Sequence, residues 1–288
     1  MAGTVALRSL LFTPGNRPGM LAKAAASKAD ALVVDLEDGV PDDEKPHARE
    51  TAAHFVRSNP DAIVFIRVNG TQTAWFAQDI AASVEAGAFG LMLPKVSSLD
   101  QLSRANALIS DSERGCGRRQ DSTELIPLIE TVEGVLEAAS ILGRHQRCHR
   151  AAFGAYDFSA DLGISLPRDR AGLLVPRALL ALAARGRRQQ PIDTVFASVR
   201  DIDGLIADAT LARSLGFTGK MCIHPDQVEP INDVFSPGPE ELARAHRIVA
   251  AFDDAIESGR AAVEVDGEMV DYPIARQART LIEEAGGA

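Results

Sequence analysis

Apolar positions recur along this chain in two periods. Short apolar runs appear as RSLLFTP, ADALVVDLED, AIVFIRVNG, FGLMLPK, ELIPLIE, AAFGAYD, PIDTVFA and FTGKMCIHP. Between them lie longer stretches with Ala and Leu at helical spacing, among them MLAKAAASKA, AWFAQDIAASVEAGA, VLEAASILGR, RALLALAARGRR and DIDGLIADATLARSLG. The first kind has the length of a strand and the second the composition of a helix. Strand-then-helix alternation predicts parallel strands joined by right-handed crossovers. Eight such units fit the α/β class as a closed (β/α)8 TIM barrel better than an open doubly wound sheet. No GxGxxG follows the first run, which further disfavours a dinucleotide-binding sheet.

The pattern changes near residue 236. SPGPEELARAHRIVAAFDDAIESG reads as a helix opened by Ser236 and Pro237, with acids in its first turn. The remainder carries a DG turn between two short extended pieces and then a last helix. The expected organisation is therefore a barrel over residues 1–235 and a helical C-terminal extension over 236–288. ISDSERGCGRRQDS, residues 109–122, is polar and contains glycine, so it reads as a surface loop.

Composition narrows the partners. The formal net charge of −10 argues against nucleic acid or an anionic membrane as a bulk partner, while leaving room for a local basic pocket. No apolar run approaches transmembrane length, the first residues lack a signal-peptide cleavage pattern, and three scattered cysteines make no disulfide framework. The expected compartment is the cytosol.

A barrel gathers its chemistry at the C-terminal ends of its strands. Those ends carry Asp35, Glu37 and Asp38, then Arg67 and Asn69, Lys95, Glu130, Asp157 and His224, with Arg8 early in the first run. Of the eight runs, PIDTVFA alone reads as ending without a charge. Glu130 and Asp157 follow consecutive strands and are therefore neighbours. Two adjacent carboxylates without His or Cys suit a hard divalent ion such as Mg2+, or each pairs with a cation at the mouth. Arg67 offers a rigid donor fork to a carboxylate or enolate oxygen, or pairs with an acid of the preceding strand. In DLED, strand alternation sends Asp35 and Glu37 to one face and Asp38 to the other. RHQRCHR (144–150) precedes the sixth strand, at the bottom of a barrel, and reads as a solvated basic loop rather than a metal site. His224 reads as a hydrogen-bonded structural histidine.

With these residues assembled, the chain resembles the HpcH/HpaI aldolase and citrate lyase β-subunit superfamily, and within it the CitE-like acyl-CoA lyases of the malyl-CoA and citramalyl-CoA type. The resemblance rests on RSLLFTPGNRPGMLAKA, ADALVVDLEDGVPDDEK, FIRVNG, LPKV, PLIETVEG, FGAYDFSADLG, IDTVFASVRDIDGL, LGFTGKMCIHPDQVEPINDVFSP and the tail piece VDGEMVDYP, in the expected order. It implies a homotrimer or a dimer of trimers. It implies Mg2+, with Mn2+ as the alternative ion, held by Glu130 and Asp157. Arg67 is implied to meet the thioester or enolate oxygen. Asp271 is implied to reach a neighbouring subunit's site and act on the substrate hydroxyl. Arg17 and Lys23 are implied to meet the CoA phosphates, and Glu37 and Asp38 to lie beside the metal. Tyr156 departs from the pattern, because many family members carry an acid there. So does AARGRRQQPID, where small residues are common.

The implied reaction is reversible cleavage of a 3-hydroxy-3-carboxy acyl-CoA into a 2-oxo acid and acetyl-CoA. Two other outcomes are compatible with the same residues: hydrolysis of malyl-CoA by a thioesterase, and work on a protein-bound thioester as the β subunit of a citrate lyase complex.

Overall fold

The computed structural model describes residues 6–143, 145–166 and 170–286. Its centre is a closed parallel barrel in sequential order, formed by β1 (Ser9–Pro14), β2 (Ala31–Asp35), β3 (Val64–Arg67), β4 (Gly90–Leu93), β5 (Glu124–Ile129), β6 (Arg150–Phe153), β7 (Gln190–Asp193) and β8 (Gly219–Cys222). β1 pairs back onto β8, with Ser9 opposite Lys220 and Leu10 opposite Met221. The α/β barrel read from the alternation is the fold observed.

The helices that follow the strands are α1 (Pro18–Ala25), α2 (Lys45–Ser58), α3 (Phe76–Ala86), α4 (Leu99–Gly115), α5 (Val132–Leu136), α6 (Ala138–Ile141), α7 (Ala155–Leu162), α8 (Leu174–Gly186), α9 (Ile202–Ser214) and α10 (Val228–Phe235). Beyond them lie α11 (Pro239–Glu257), the hairpin strands β9 (Val263–Val265) and β10 (Glu268–Val270), and α12 (Tyr272–Gly286). The chain divides into two compact units whose boundary falls between Asn232 and Asp233.

Strand pleating sorts the barrel residues. Leu10, Val33, Phe65, Met92, Ile126, Leu128, Ala152, Ile192 and Met221 form one buried apolar cluster. Stepping two residues onward along a strand keeps the same face. That step carries β2 from Val33 to Asp35, β3 from Phe65 to Arg67, and β5 from Leu128 to Glu130. Register adds to this, because Asp35 lies directly opposite Arg67 across the β2–β3 ladder. Period and register thus bring two acids and an arginine into one layer above the core.

Several local expectations are corrected. Residues 109–115 are helical, not loop: α4 starts with a Ser98–Gln101 capping box and buries Leu102, Ala105, Ile109 and Glu113 along one face. The Glu113 carboxylate accepts from Asp121 N at 3.0 Å and Thr123 N at 2.8 Å, and pairs with Arg147 at 3.2 Å. Arg147 is thereby buried, as are Cys148 and Arg150, so the stretch after Arg144 is no solvated loop; Arg144 lies outside the described residues. Arg150 closes the bottom of the barrel on Glu124 at 2.5 Å and Gln190 at 2.9 Å. Arg8 precedes β1 and pairs with Asp30 at 2.7 Å, at the bottom rather than the mouth. β7 does end on a charge, Asp193, and the apolar continuation TVFA lies beyond the strand.

In the second unit α11 begins at Pro239 behind a Gly238 cap, later than Ser236 and Pro237 suggested. Asp266 and Gly267, at φ 55° and 82°, make the DG turn between β9 and β10, the left-handed pair a tight hairpin requires. Phe252, Val265, Val270 and Ala275 belong to its core.

Candidate functional site

Glu130 follows directly on β5 and is 2% exposed. Its Oε1 accepts from the Lys95 backbone N–H at 2.9 Å. Gly154 follows β6, and a Cβ there would collide with Oε2 of Glu130, so glycine makes the space in which the carboxylate lies. Thr131 then caps α5 by accepting from Gly134 N at 3.0 Å. The run LIPLIETVEG is a buried strand, a site carboxylate and a helix cap in succession. Asp157 lies not on the sixth strand but in the first turn of α7, where the chain has become helical after Gly154. It is more exposed than Glu130, with its side chain 38% accessible.

Asp157 bears on the charge of Glu130. Burial pushes the Glu130 carboxyl up, the negative charge of Asp157 adds to this, and Arg67 only partly offsets them, leaving it at about 8. The positive charge near Glu130 is too little to offset its burial and its neighbouring acid. Oxygen-only donors in that condition suit a hard divalent cation that keeps several waters.

Arg67 is held on three sides. Its Nε and Nη2 donate to Asp35 Oδ1 and Oδ2, each at 2.7 Å. Its Nη1 lies 3.1 Å from Glu37 Oε2, and its guanidinium stacks 5.2 Å from the Phe12 ring centroid. Asp35 is fixed in turn by the N–H groups of Glu37 at 2.9 Å and Gly39 at 2.8 Å. Burial alone would raise Asp35, but Arg67 outweighs it and holds the carboxyl below its usual range. The pairing with neighbouring acids is observed, and it fixes the guanidinium at the barrel mouth. Glu37 shares the Arg67 side, as alternation predicted, whereas Asp38 is exposed.

Lys95 follows β4 at the barrel mouth. Its backbone is left-handed, at φ 54°. Its Nζ lies 2.6 Å from Glu37, 3.2 Å from Asp38 and 3.5 Å from Asp157. Tyr156, where an acid was expected, accepts from Arg170 Nη2 at 3.1 Å and Ala197 N at 3.2 Å. Asn69 is structural, donating to Leu36 O at 2.9 Å and Asp79 at 2.7 Å. His224 accepts from Asp226 N at 3.2 Å and caps a turn, the structural role expected of it. Arg17 and Lys23 are exposed, at the start and in the last turn of α1. Asp271 belongs to the second unit, where its Oδ1 accepts from Ile274 N at 3.4 Å at the start of α12.

Residues 8–225 match the family model described as HpcH/HpaI aldolase/citrate lyase. The chain belongs to that family. It is an enzyme of the carbon–carbon lyase type. It is 37% identical over 271 residues to a (3S)-malyl-CoA thioesterase of Cereibacter sphaeroides, covering 92% of this chain and 89% of that one. It is 32% identical over 278 residues to the citrate lyase subunit beta of Leuconostoc mesenteroides subsp. cremoris, covering 96% and 92%. Among solved structures of the HpcH/HpaI aldolase/citrate lyase kind, it resembles the protein CitE of Mycobacterium tuberculosis, crystallised with magnesium, acetoacetate and coenzyme A. The TM-score is 0.80, with 33% identity and 98% of both chains covered. Among the described residues no helix is long and apolar enough to cross a membrane.

Proposed function

We propose that this chain is a Mg2+-dependent acyl-CoA lyase that reversibly cleaves a 3-hydroxy-3-carboxy acyl-CoA, such as malyl-CoA or citramalyl-CoA, into a 2-oxo acid and acetyl-CoA. One observation carries the reading: a buried Glu130 beside Asp157, short of positive charge, in the same layer as a guanidinium pre-set by Asp35 and Glu37. The magnesium, acetoacetate and coenzyme A of the CitE structure support it.

Glu130 and Asp157 would hold the divalent ion, Mg2+ or Mn2+, which when bound supplies Lewis acidity toward the hydroxyl and carboxylate oxygens of the substrate. Asp271, from a neighbouring subunit of a trimer or dimer of trimers, accepts the hydroxyl proton. The C2–C3 bond then breaks, its electron pair passing to the acyl fragment as an enolate while the C3 oxygen becomes a carbonyl. Arg67 meets the enolate oxygen where charge develops, and its fixed fork needs no reorganisation to do so. Protonation at C2 completes acetyl-CoA. Glu37 and Asp38 flank the metal site, and Arg17 and Lys23 face the phosphates of CoA. In this reading residues 1–235 are the catalytic barrel, and the extension over 236–288 exists to complete the adjacent site.

A second reading, favoured by the 37% identity to a malyl-CoA thioesterase, keeps the site and adds hydrolysis of the thioester. The third, a citrate lyase β subunit, has the support of a 32% identical relative. A tail that completes the site argues for stand-alone work on free CoA esters. The test is a panel of acyl-CoA esters incubated with the purified chain and Mg2+, following 2-oxo acid and free thiol together. The expected result is 2-oxo acid without free CoA. Free CoA with malate would replace lyase by thioesterase, and inertness toward every free ester would favour the complex subunit. In the same panel Arg67→Ala is expected to lose on the order of 10²–10³-fold in kcat with little change in KM.

A further inference from the structure

Lys95 adopts a backbone conformation that glycine takes freely and side-chain-bearing residues adopt at a cost, at φ 54°. Such an outlier points to a constraint worth explaining. Two contacts explain it. The backbone N–H aims at Glu130 Oε1 at 2.9 Å. The same turn sends the side chain back across the mouth, where Nζ reaches Glu37, Asp38 and Asp157. One residue therefore touches both carboxylates proposed to hold the divalent ion, one through its backbone and the other through its ammonium.

Asp35, Glu37, Asp38, Glu130 and Asp157 crowd this mouth, and among the described residues the ion pairs that reach them come from Arg67 and Lys95. Arg67 is committed to Asp35 and Glu37. Lys95 is thus the flexible cation of the mouth, on a four-carbon stem, with its side chain 41% exposed. A divalent ion and an ammonium that share Asp157 repel each other, so they compete for it.

We propose that Lys95 is a positioning residue and the resident counter-ion of the site: its ammonium holds Glu37, Asp38 and Asp157 together before the divalent ion binds, and yields Asp157 to that ion. Its N–H keeps Glu130 aimed in both states. This rests on the metal-binding reading of Glu130 and Asp157.

The test uses the full chain and Mg2+ alone, with no CoA ester. Calorimetric titration and thermal unfolding in chelator are compared for wild type, Lys95→Met and Lys95→Gly. Met removes the charge and keeps the left-handed strain, whereas Gly removes both, so their difference isolates the backbone. Both variants are expected to bind Mg2+ about tenfold more tightly than wild type, the consequence of deleting one nearby positive charge. In chelator, Lys95→Met is expected to melt below wild type because its carboxylates repel without a partner. Magnesium binding by wild type with no tighter binding by either variant would overturn the role of Lys95 and leave the metal site standing. Failure of wild type itself to bind Mg2+ would overturn both. A chelated Lys95→Met that melts as wild type does would remove the counter-ion role on its own.

Discussion

Asp193 and Glu130 are both buried acids at strand ends of one barrel, yet their surroundings treat them in opposite ways. Asp193 ends β7 one residue after the core residue Ile192, so the pleat turns it outward, toward α8 and α9. There Arg177 takes its two oxygens at 2.9 and 2.6 Å, and Lys220 adds a contact at 2.5 Å. Asp208 on α9 closes the group, 2.9 Å from Arg177 and 2.6 Å from Lys220. Burial would raise Asp193, but Lys220 and Arg177 more than reverse it and hold the carboxyl below its usual range. Glu130 lies two residues after Leu128 on the inward face, beside another acid, and is pushed up instead. Equal burial with opposite shifts separates a closed structural network from an open site. The first supplies its own cations; the second leaves positive charge to be brought in.

The largest effect that would sharpen this contrast is Arg177→Met. It strips Asp193 and Asp208 of their shared guanidinium inside a dry layer and is expected to cost about 3–5 kcal/mol in urea-monitored unfolding. A cost below about 1 kcal/mol would mean that the outer network is no more closed than the mouth.

Glu130→Gln is expected to act in the other direction. The Glu130 carboxyl is raised from 4.5 to about 8 in the folded chain, so between those values the folded state holds a proton that the unfolded state has released. Metal-free protein therefore loses stability as pH rises from about 4.5 through about 8, by about 4 kcal/mol from this group. Gln removes that part of the slope and raises stability at pH 8, while abolishing magnesium-dependent turnover. Glu37 and Glu124 are also raised, chiefly by burial, so a shallower slope of the same sign remains. Thermal unfolding in chelator across this window checks it, and a Glu130→Gln profile parallel to wild type would break the contrast.

The sequence disclosed the mouth better than the outer network, for a physical reason. Asp35, Arg67 and Glu130 interrupt apolar runs at the strand ends, where period and barrel geometry leave them one place to go. Asp193, Arg177, Asp208 and Lys220 come from four elements, and their pairing is a long-range fact that no local pattern carries. A signal did exist: Lys220 inside GKMC and Asp208 on the inner face of α9 are charges in buried segments, which demand partners. The same holds for Glu113 and Arg147, hidden because a polar surface surrounds them in ISDSERGCGRRQDS and RHQRCHR. Lys95 is legible as a strand-end residue, but its contacts are not, because its left-handed backbone rather than its identity brings it over the acids.

Arg170 joins the two regions and gives the smallest prediction. Its Nη1 lies 3.2 Å from Asp208, while its Nη2 donates to the hydroxyl of Tyr156, the residue before Asp157. It also donates to Val195 O from both ends of the fork, at 3.3 and 3.2 Å. Tyr156→Phe removes the hydroxyl and leaves Arg170 on Asp208 and Val195, so a loss of about 1 kcal/mol or less is expected. The informative quantity is its sum with Arg177→Met. If the mouth and the network are separate electrostatic units, the double variant is additive within about 0.5 kcal/mol, because the two sites share no carboxylate other than through Arg170. A coupling above about 1 kcal/mol would make Arg170 a conduit, and the orientation of Asp157 would then depend on the structural network behind it.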